Sequence, residues 1–466
     1  MADVDEEAGA LRWAAERAIA YRRDVAAADR TPTADYDMVH AAFDRPLPQV
    51  GDDGEAIIAE LAALAEPGLR ASTAPRFYGW VIGGSDLTGV AADWLASAWG
   101  QNAANMSASP AAAAVEAVVE TWLLDLLGLP HESSIGFVSG ATIANLVGLA
   151  AARSELLRRV GWDVEADGLA GAPPLPVLIG SDAHATVFSA IKLLGLGARQ
   201  VTTVAADSLG RMLPEALAEA IAAAPAAPLV IGQAGQICTG ACDPFEAIAP
   251  MVREAGGWLH VDGAFGLWAQ ASPRFRHLTA GVELADSWAT DGHKWLQLPY
   301  DSGFAIVRDR AAHQRALAVA ASYLPPVDDG QRNPSDFVPE LSRRARGFAA
   351  WAVIRRLGRD GIVAMVDRCC VVAQRIADRL ADAPGIVIVA PVVLNQLMLR
   401  FGDDDAATKA TIAALQEEAI AFAGPSLWRG QWVMRISVSS AATTLADADI
   451  TADAIRSAWD GVQAGR

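Results

Sequence analysis

Between residues 134 and 307 the chain alternates short apolar runs with helix-like stretches, and this alternation restricts the fold more than any other feature. Ser134-Ile135-Gly136-Phe137-Val138 leads into a helical pattern over 144–157. Pro176-Val177-Leu178-Ile179 leads into a second over 185–194, stopped by Gly195 and Gly197. Pro228-Leu229-Val230-Ile231 is followed by a long turn, a helix over 245–254, and the run Trp258-Leu259-His260-Val261. Gly303-Phe304-Ala305-Ile306-Val307 closes the series. Strands that alternate with helices join in a mostly parallel sheet covered on both faces, so the expected class is α/β.

The flanks differ from this core. Residues 1–85 carry helical patterns broken at Thr31-Pro32-Thr33 and Arg45-Pro46-Leu47-Pro48. After the core comes a loop rich in Pro and Asp, over 325–333. A long helix beginning over 349–357 follows, and later the strand-like run Trp432-Val433-Met434-Arg435-Ile436-Ser437-Val438. The expected organisation is an N-terminal helical segment over 1–85, a large domain over 86–322, and a small α+β domain over 323–466.

Composition excludes several classes. With 466 residues, 52% of them hydrophobic and 20% charged, the chain is globular rather than disordered. A net charge of -18 argues against nucleic acid and anionic membrane as partners. Charges, Gly or Pro interrupt every long apolar run, so no spanning helix is expected. The start, Met1-Ala2-Asp3-Val4-Asp5-Glu6-Glu7, is acidic and lacks the basic-then-apolar order of a secretory signal, which points to the cytoplasm. Cys238, Cys242, Cys369 and Cys370 form no C-x-x-C pair and have no histidine cluster nearby, so no metal is expected. They read as reduced thiols, with Cys238 a small buried hydrophobe.

Four motifs sit at the expected strand ends, where open parallel sheets bind ligands. Val138-Ser139-Gly140-Ala141-Thr142 offers small residues and a helix N-terminus to an anion; its plainer reading is an ordinary helix cap. His184 lies at the mouth of a helix, where an imidazole can stack on a flat ring or simply cap the helix. Asp262 ends an apolar run and either pairs with a ring nitrogen or caps the next turn. Lys294 follows His293 in a Gly-containing turn, and the apolar Trp295 and Leu296 beside it argue for burial over solvent. A lysine able to form a Schiff base and a carboxylate able to keep a pyridine nitrogen protonated are what pyridoxal phosphate (PLP) requires of its host.

In this order the motifs resemble those of the PLP-dependent group II amino-acid decarboxylases, which include aromatic-amino-acid and glutamate decarboxylases. The resemblance runs from Arg76-Phe77-Tyr78-Gly79 to the strand holding Arg435, and is densest from Gly136 to Val307. Ser107-Ala108-Ser109-Pro110 is similar to a turn that members carry ahead of a helix, and Pro339-Glu340-Leu341-Ser342-Arg343-Arg344 to a segment after their mobile loop. The resemblance implies PLP fold type I, the aminotransferase-like fold, for the large domain. It implies that Lys294 holds PLP covalently and Asp262 pairs with the ring nitrogen. His184 would stack on one ring face and Ala264 support the other. Ala141, Thr142 and His293 would bind the phosphate. It further implies a homodimer with shared sites, N-terminal helices against the partner, Tyr300 reaching into the neighbour's site, and Trp80 and Ile82 lining the substrate pocket.

Two departures stand out. Where the family has a threonine near the cofactor's phenolic oxygen, this chain reads Gly235-Gln236-Ile237, so that hydrogen bond is expected from Gln236. Where aromatic-amino-acid decarboxylases carry a loop tyrosine, the comparable stretch places Phe337, with Tyr323 as a substitute. The expected activity is removal of the α-carboxylate of a small-molecule L-amino acid, giving the amine and carbon dioxide. Two alternatives remain within PLP chemistry: a carbonyl-forming oxidative decarboxylation–deamination, and an aminotransferase using Arg435 as carboxylate clamp. A non-catalytic interaction protein is a third, against which Lys294 and Asp262 both count.

Overall fold

The computed structural model describes residues 4–27, 31–318 and 332–465. The alternating region forms seven strands: β1 (Ser134–Val138), β2 (Val177–Gly180), β3 (Val201–Val204), β4 (Leu229–Gln233), β5 (Trp258–Asp262), β6 (Ser287–Asp291) and β7 (Gly303–Val307). They make one sheet in the order β1-β7-β6-β5-β4-β2-β3. All neighbours pair parallel except at β7, which runs antiparallel to both β1 and β6. β1, β4, β5, β6 and β7 are buried along their whole length, as expected of strands covered on both faces.

The helix Ala141–Arg159 crosses behind the sheet and is the main piece of that cover. Its Gly148 leaves no room for a side chain because His260 fills the space, with ring atoms 2.6 Å from where a Cβ would stand. His260 is fully buried between Ser287 Oγ at 2.8 Å and Asn145 Oδ1 at 2.8 Å. Burial drives its pKa down to about 3, so the ring is neutral and bonds as a structural crosspiece.

The late strands are β8 (Ile386–Ile388), β9 (Gln396–Phe401), β10 (Gly424–Trp428) and β11 (Gln431–Ser437), in a separate sheet ordered β10-β11-β9-β8. Helix Gly347–Leu380 precedes them and is broken at Gly358, whose φ of 61° is left-handed. By contacts the chain forms two compact units. One holds Met1–Trp80, Arg375–Val389 and Met398–Arg466; the other holds Val81–Gln374 and Ala390–Leu397. The N-terminal segment thus belongs with the small sheet: Tyr78 bonds Thr451 Oγ1 at 2.9 Å, and Arg76 pairs with Asp447 at 2.9 Å. Most of the long helix belongs with the large sheet instead. Among the described residues no helix is long and apolar enough to cross a membrane, and no cluster of His, Cys, Asp and Glu could hold a metal ion.

Candidate active site

The carboxyl ends of β4, β5 and β6 deliver Gln233, Asp262 and Asp291 to one edge of the large sheet. A cavity of about 350 Å³ opens there. Among its lining residues are Ser139, Gly140, Ala141, Thr142, His184, Asp262, Ala264, His293, Lys294 and Tyr300, so most of the sequence candidates come together.

The turn after β6 is held rigidly. Gly292 and His293 donate their N–H groups to Ser302 O at 3.0 and 3.2 Å. Gln297 Nε2 donates to the carbonyls of Lys294 and Trp295, at 3.2 and 3.1 Å. Trp295 and Leu296 are fully buried, which fixes the turn from behind and leaves Lys294 facing the cavity. Lys294 Nζ lies 2.8 Å from Asp291 Oδ2. Asp291 Oδ1 accepts the Ala141 N–H at 2.6 Å and lies 3.5 Å from His293 Nε2. Asp291 was missed as a site residue in the sequence; the available signal was a carboxylate three residues ahead of the lysine in the same turn. Burial lowers the pKa of His293, whose ring lies 4.3 Å from that of Tyr300.

The helix Ala141–Arg159 begins at Gly140 with no side-chain cap, so Ser139 and Thr142 do not serve as its cap. Gly140 is needed because a Cβ there would meet His293 Cε1 at 3.0 Å and Asp291 Oδ1 at 3.2 Å. The result is a helix start whose Ala141 N–H is taken by Asp291 and which is bordered by two hydroxyls and an imidazole, groups that fit a phosphate. Asp262 is 5% exposed, and among the described residues its carboxylate accepts a hydrogen bond only from the Ala264 N–H, at 3.2 Å. Burial raises its pKa, against the opposing pull of His184 and Lys294. A buried carboxylate without a bonded cation fits the protonated nitrogen of a pyridine ring. His184 is both cap and wall: its Nδ1 bonds Thr186 Oγ1 at 2.7 Å at the start of the helix Ala185–Leu193, and it lines the cavity. With Nδ1 accepting the Thr186 N–H as well, the ring proton is assigned to Nε2.

Other candidates are placed elsewhere. Gln236 turns its carboxamide into its own loop, where Oε1 accepts from Cys238 N at 2.5 Å and Thr239 N at 3.0 Å, and Nε2 reaches Asp182 O at 3.4 Å. Ile237 lines the cavity in its stead. Phe337 is 1% exposed, edge-on to His313 at 5.1 Å, with Arg332 and Arg310 over its ring. It packs behind β1, where its carbonyl would meet a Cβ on Gly136 at 2.1 Å, and does not reach the cavity. Trp80 stays 56% exposed beside Phe77 and Phe422, and Ile82 does not line the cavity either. Val81 does, because Trp80 and Val81 both adopt left-handed φ, 56° and 57°, which breaks the alternation expected of an extended segment. Tyr300, expected to reach a neighbour's site, lines this chain's own cavity while 58% exposed. Arg435 sits on β11 of the small sheet and is not among the lining residues. Tyr323 lies outside the described residues. Gln233, Thr186, Gly235 and Phe265 complete the wall and were not singled out in the sequence.

The sequence model of the pyridoxal-dependent decarboxylase conserved domain matches residues 37–401. The chain is 30% identical to a 4-hydroxyphenylacetaldehyde synthase of Rhodiola rosea, over 73% of this chain and 70% of that protein. It is 28% identical to the aromatic-L-amino-acid decarboxylase of Sus scrofa, over 92% and 90%. Among solved structures, the TDC of Oryza sativa with PLP and tryptamine superposes with a TM-score of 0.90, covering 99% of this chain and 98% of that one at 24% identity, a likeness of fold.

Proposed function

The chain belongs to the pyridoxal-dependent decarboxylase family, and we propose that the cavity at the ends of β4, β5 and β6 is where it acts. The protein is a PLP-dependent carboxy-lyase that converts an L-amino acid to its amine and carbon dioxide. The observation that carries the site assignment is that Lys294 and Asp262 face one cavity from neighbouring strand ends, the only two groups the chemistry cannot do without.

When bound, PLP supplies an electron sink for the pair released with the carboxylate. The chain's residues do the rest. Lys294 Nζ, which faces the cavity, would hold the cofactor. Asp262 keeps the ring nitrogen protonated, and being buried it does so without reorganising. Ser139, Thr142 and His293 would hold the phosphate, and Asp291 sets the position of both the Ala141 N–H at the helix start and Lys294. His184 would stack against the ring, and its Nε2–H is the proton source we assign for the α-carbon, with Nδ1 bonded to Thr186. Val81, Ile237 and Phe265 make the wall apolar, and no arginine lines the cavity among the described residues, which favours a substrate with an uncharged side chain.

We also assign a homodimer. The helices Tyr36–Phe43 and Gly54–Ala65 bury no residue of their own, and Tyr36, Met38, Ile57 and Leu61 are exposed on them. Apolar helices of this kind call for a partner surface. Four buried free thiols suit a reducing cytoplasm.

The decisive experiment is a product balance in air over a set of L-amino acids. Amine and carbon dioxide in equal amounts support the reading. Stoichiometric aldehyde and peroxide would favour the aldehyde-forming alternative, in keeping with the Rhodiola relative's name. Lys294→Ala should abolish turnover with the fold intact, and turnover at the wild-type rate would remove the assignment. Sedimentation showing a fully active monomer would refute the dimer.

A further inference from the structure

Gln233 stands out among the cavity's polar groups. It ends β4 as the register partner of Asp262 on β5, so the two side chains leave parallel strands about 4.8 Å apart. Both line the same cavity. The backbone of Gln233 is committed: its N–H donates to Asp243 Oδ2 at 2.6 Å. Its side chain is not. Gln233 is 8% exposed, yet its carboxamide takes no hydrogen bond from any described residue. A carboxamide that borders a cavity and has no partner in the surrounding protein is available to what fills the cavity.

We propose that Gln233 is a cofactor-binding residue, its Nε2–H donating a hydrogen bond to the ionised ring hydroxyl of PLP. The proposal rests on the seating of the ring nitrogen at Asp262. With the nitrogen there, the phosphate at Ser139, Thr142 and His293 and the aldehyde carbon at Lys294, the hydroxyl is the remaining polar group of the ring. The stretch from Gln233 to Ile237 is the wall beside Asp262. Within it Gln236 spends its carboxamide on its own loop, and Ile237 has no polar side chain to offer. A neutral amide facing the ionised oxygen makes a charge-assisted bond, stronger than a neutral one, and it holds the ring in plane.

The test is titration of PLP into the cofactor-stripped protein, following its absorption band, for wild type, Gln233→Leu, Gln233→Glu and Asp262→Asn. Gln233→Leu keeps the volume and removes the donor. It should weaken PLP binding about tenfold or more and shift the band, with the circular dichroism unchanged. Gln233→Glu, which sets a carboxylate against the ring oxygen, should weaken it further. Wild-type affinity and an unshifted band in both Gln233 variants would overturn the proposal. So would a raised KM for the amino acid with PLP affinity unchanged, which would put the amide on the substrate. If Asp262→Asn also bound PLP with wild-type affinity and spectrum, the seating of the ring would fall first, and the role of Gln233 with it.

Discussion

Gly83→Ala puts a methyl group where the backbone of the lysine turn already stands. A Cβ on Gly83 would lie 2.1 Å from Lys294 O, 2.8 Å from His293 O and 3.1 Å from Lys294 C. These are main-chain atoms, so no rotamer change relieves the contact, and one segment must retreat by about 1 Å or more to reach ordinary separations. Retreat breaks two bonds that tie the segment to the turn: Gly83 N–H to His293 O at 3.1 Å, and Gly84 N–H to Gln297 Oε1 at 2.7 Å. Each is worth about 1 kcal/mol net, and the overpacking itself costs about 1–3 kcal/mol. The stiffer unfolded chain returns up to about 1 kcal/mol. The expected net loss is about 2–5 kcal/mol, read by urea unfolding followed through tryptophan fluorescence. Because the strain falls on the Lys294 peptide, PLP affinity should drop as well. Gly51→Ala is the control, since nothing lies within 4 Å of its Cβ position, and it should stay within about 0.5 kcal/mol of wild type. A Gly83→Ala protein as stable as that control, binding PLP normally, would show that the segment does not pack on the lysine turn.

Asp262→Asn, assayed at saturating PLP, should lose turnover by a factor of about 100 or more, since a neutral amide cannot hold the ring nitrogen protonated; a rate within a few-fold of wild type would reduce Asp262 to a turn cap. Phe337→Tyr should leave the ratio of amine to aldehyde untouched, because the ring is buried behind β1, and should destabilise the fold by about 1–3 kcal/mol if the new hydroxyl finds no partner. A product shift in that variant would bring Phe337 into the site after all. Stability should fall as pH drops from about 6.5 towards 3. Burial lowers His260 and His313 to about 3 in the fold, so in this window the unfolded chain takes up protons that the folded chain refuses. Between about pH 6.5 and 4 the wild type should lose more unfolding free energy than His260→Gln/His313→Gln, whose slope is set by buried carboxyls such as Asp243, raised to about 6; equal slopes would refute the source.

The sequence by itself determined the kind of fold and the chemistry of its centre. Strand and helix periods are local, so the alternation from Ser134 to Val307 was legible without knowing which strands would pair. The rule that parallel sheets bind ligands at their carboxyl ends then singled out His184, Asp262 and Lys294, and the structure brings these three to one cavity. The tertiary structure decided what depends on long-range pairing. It reversed β7 and set it between β6 and β1, which brings Gly140 against Gly303, where a Cβ would lie 2.5 Å from the Gly140 Cα. That neighbourhood is what lets Asp291 reach both Ala141, 150 residues away, and Lys294. It also decided where side chains point once the backbone leaves regular geometry. Left-handed φ at Trp80 and Val81 exchanged which of them faces the cavity, the loop after β4 turned Gln236 inward, and the packing of Phe337 against His313 drew an aromatic away from the site. Periodicity reports which face a residue takes on a regular element. Turns, strand order and the partners of buried polar groups are set by contacts between segments far apart in the chain, and these carry no local signature.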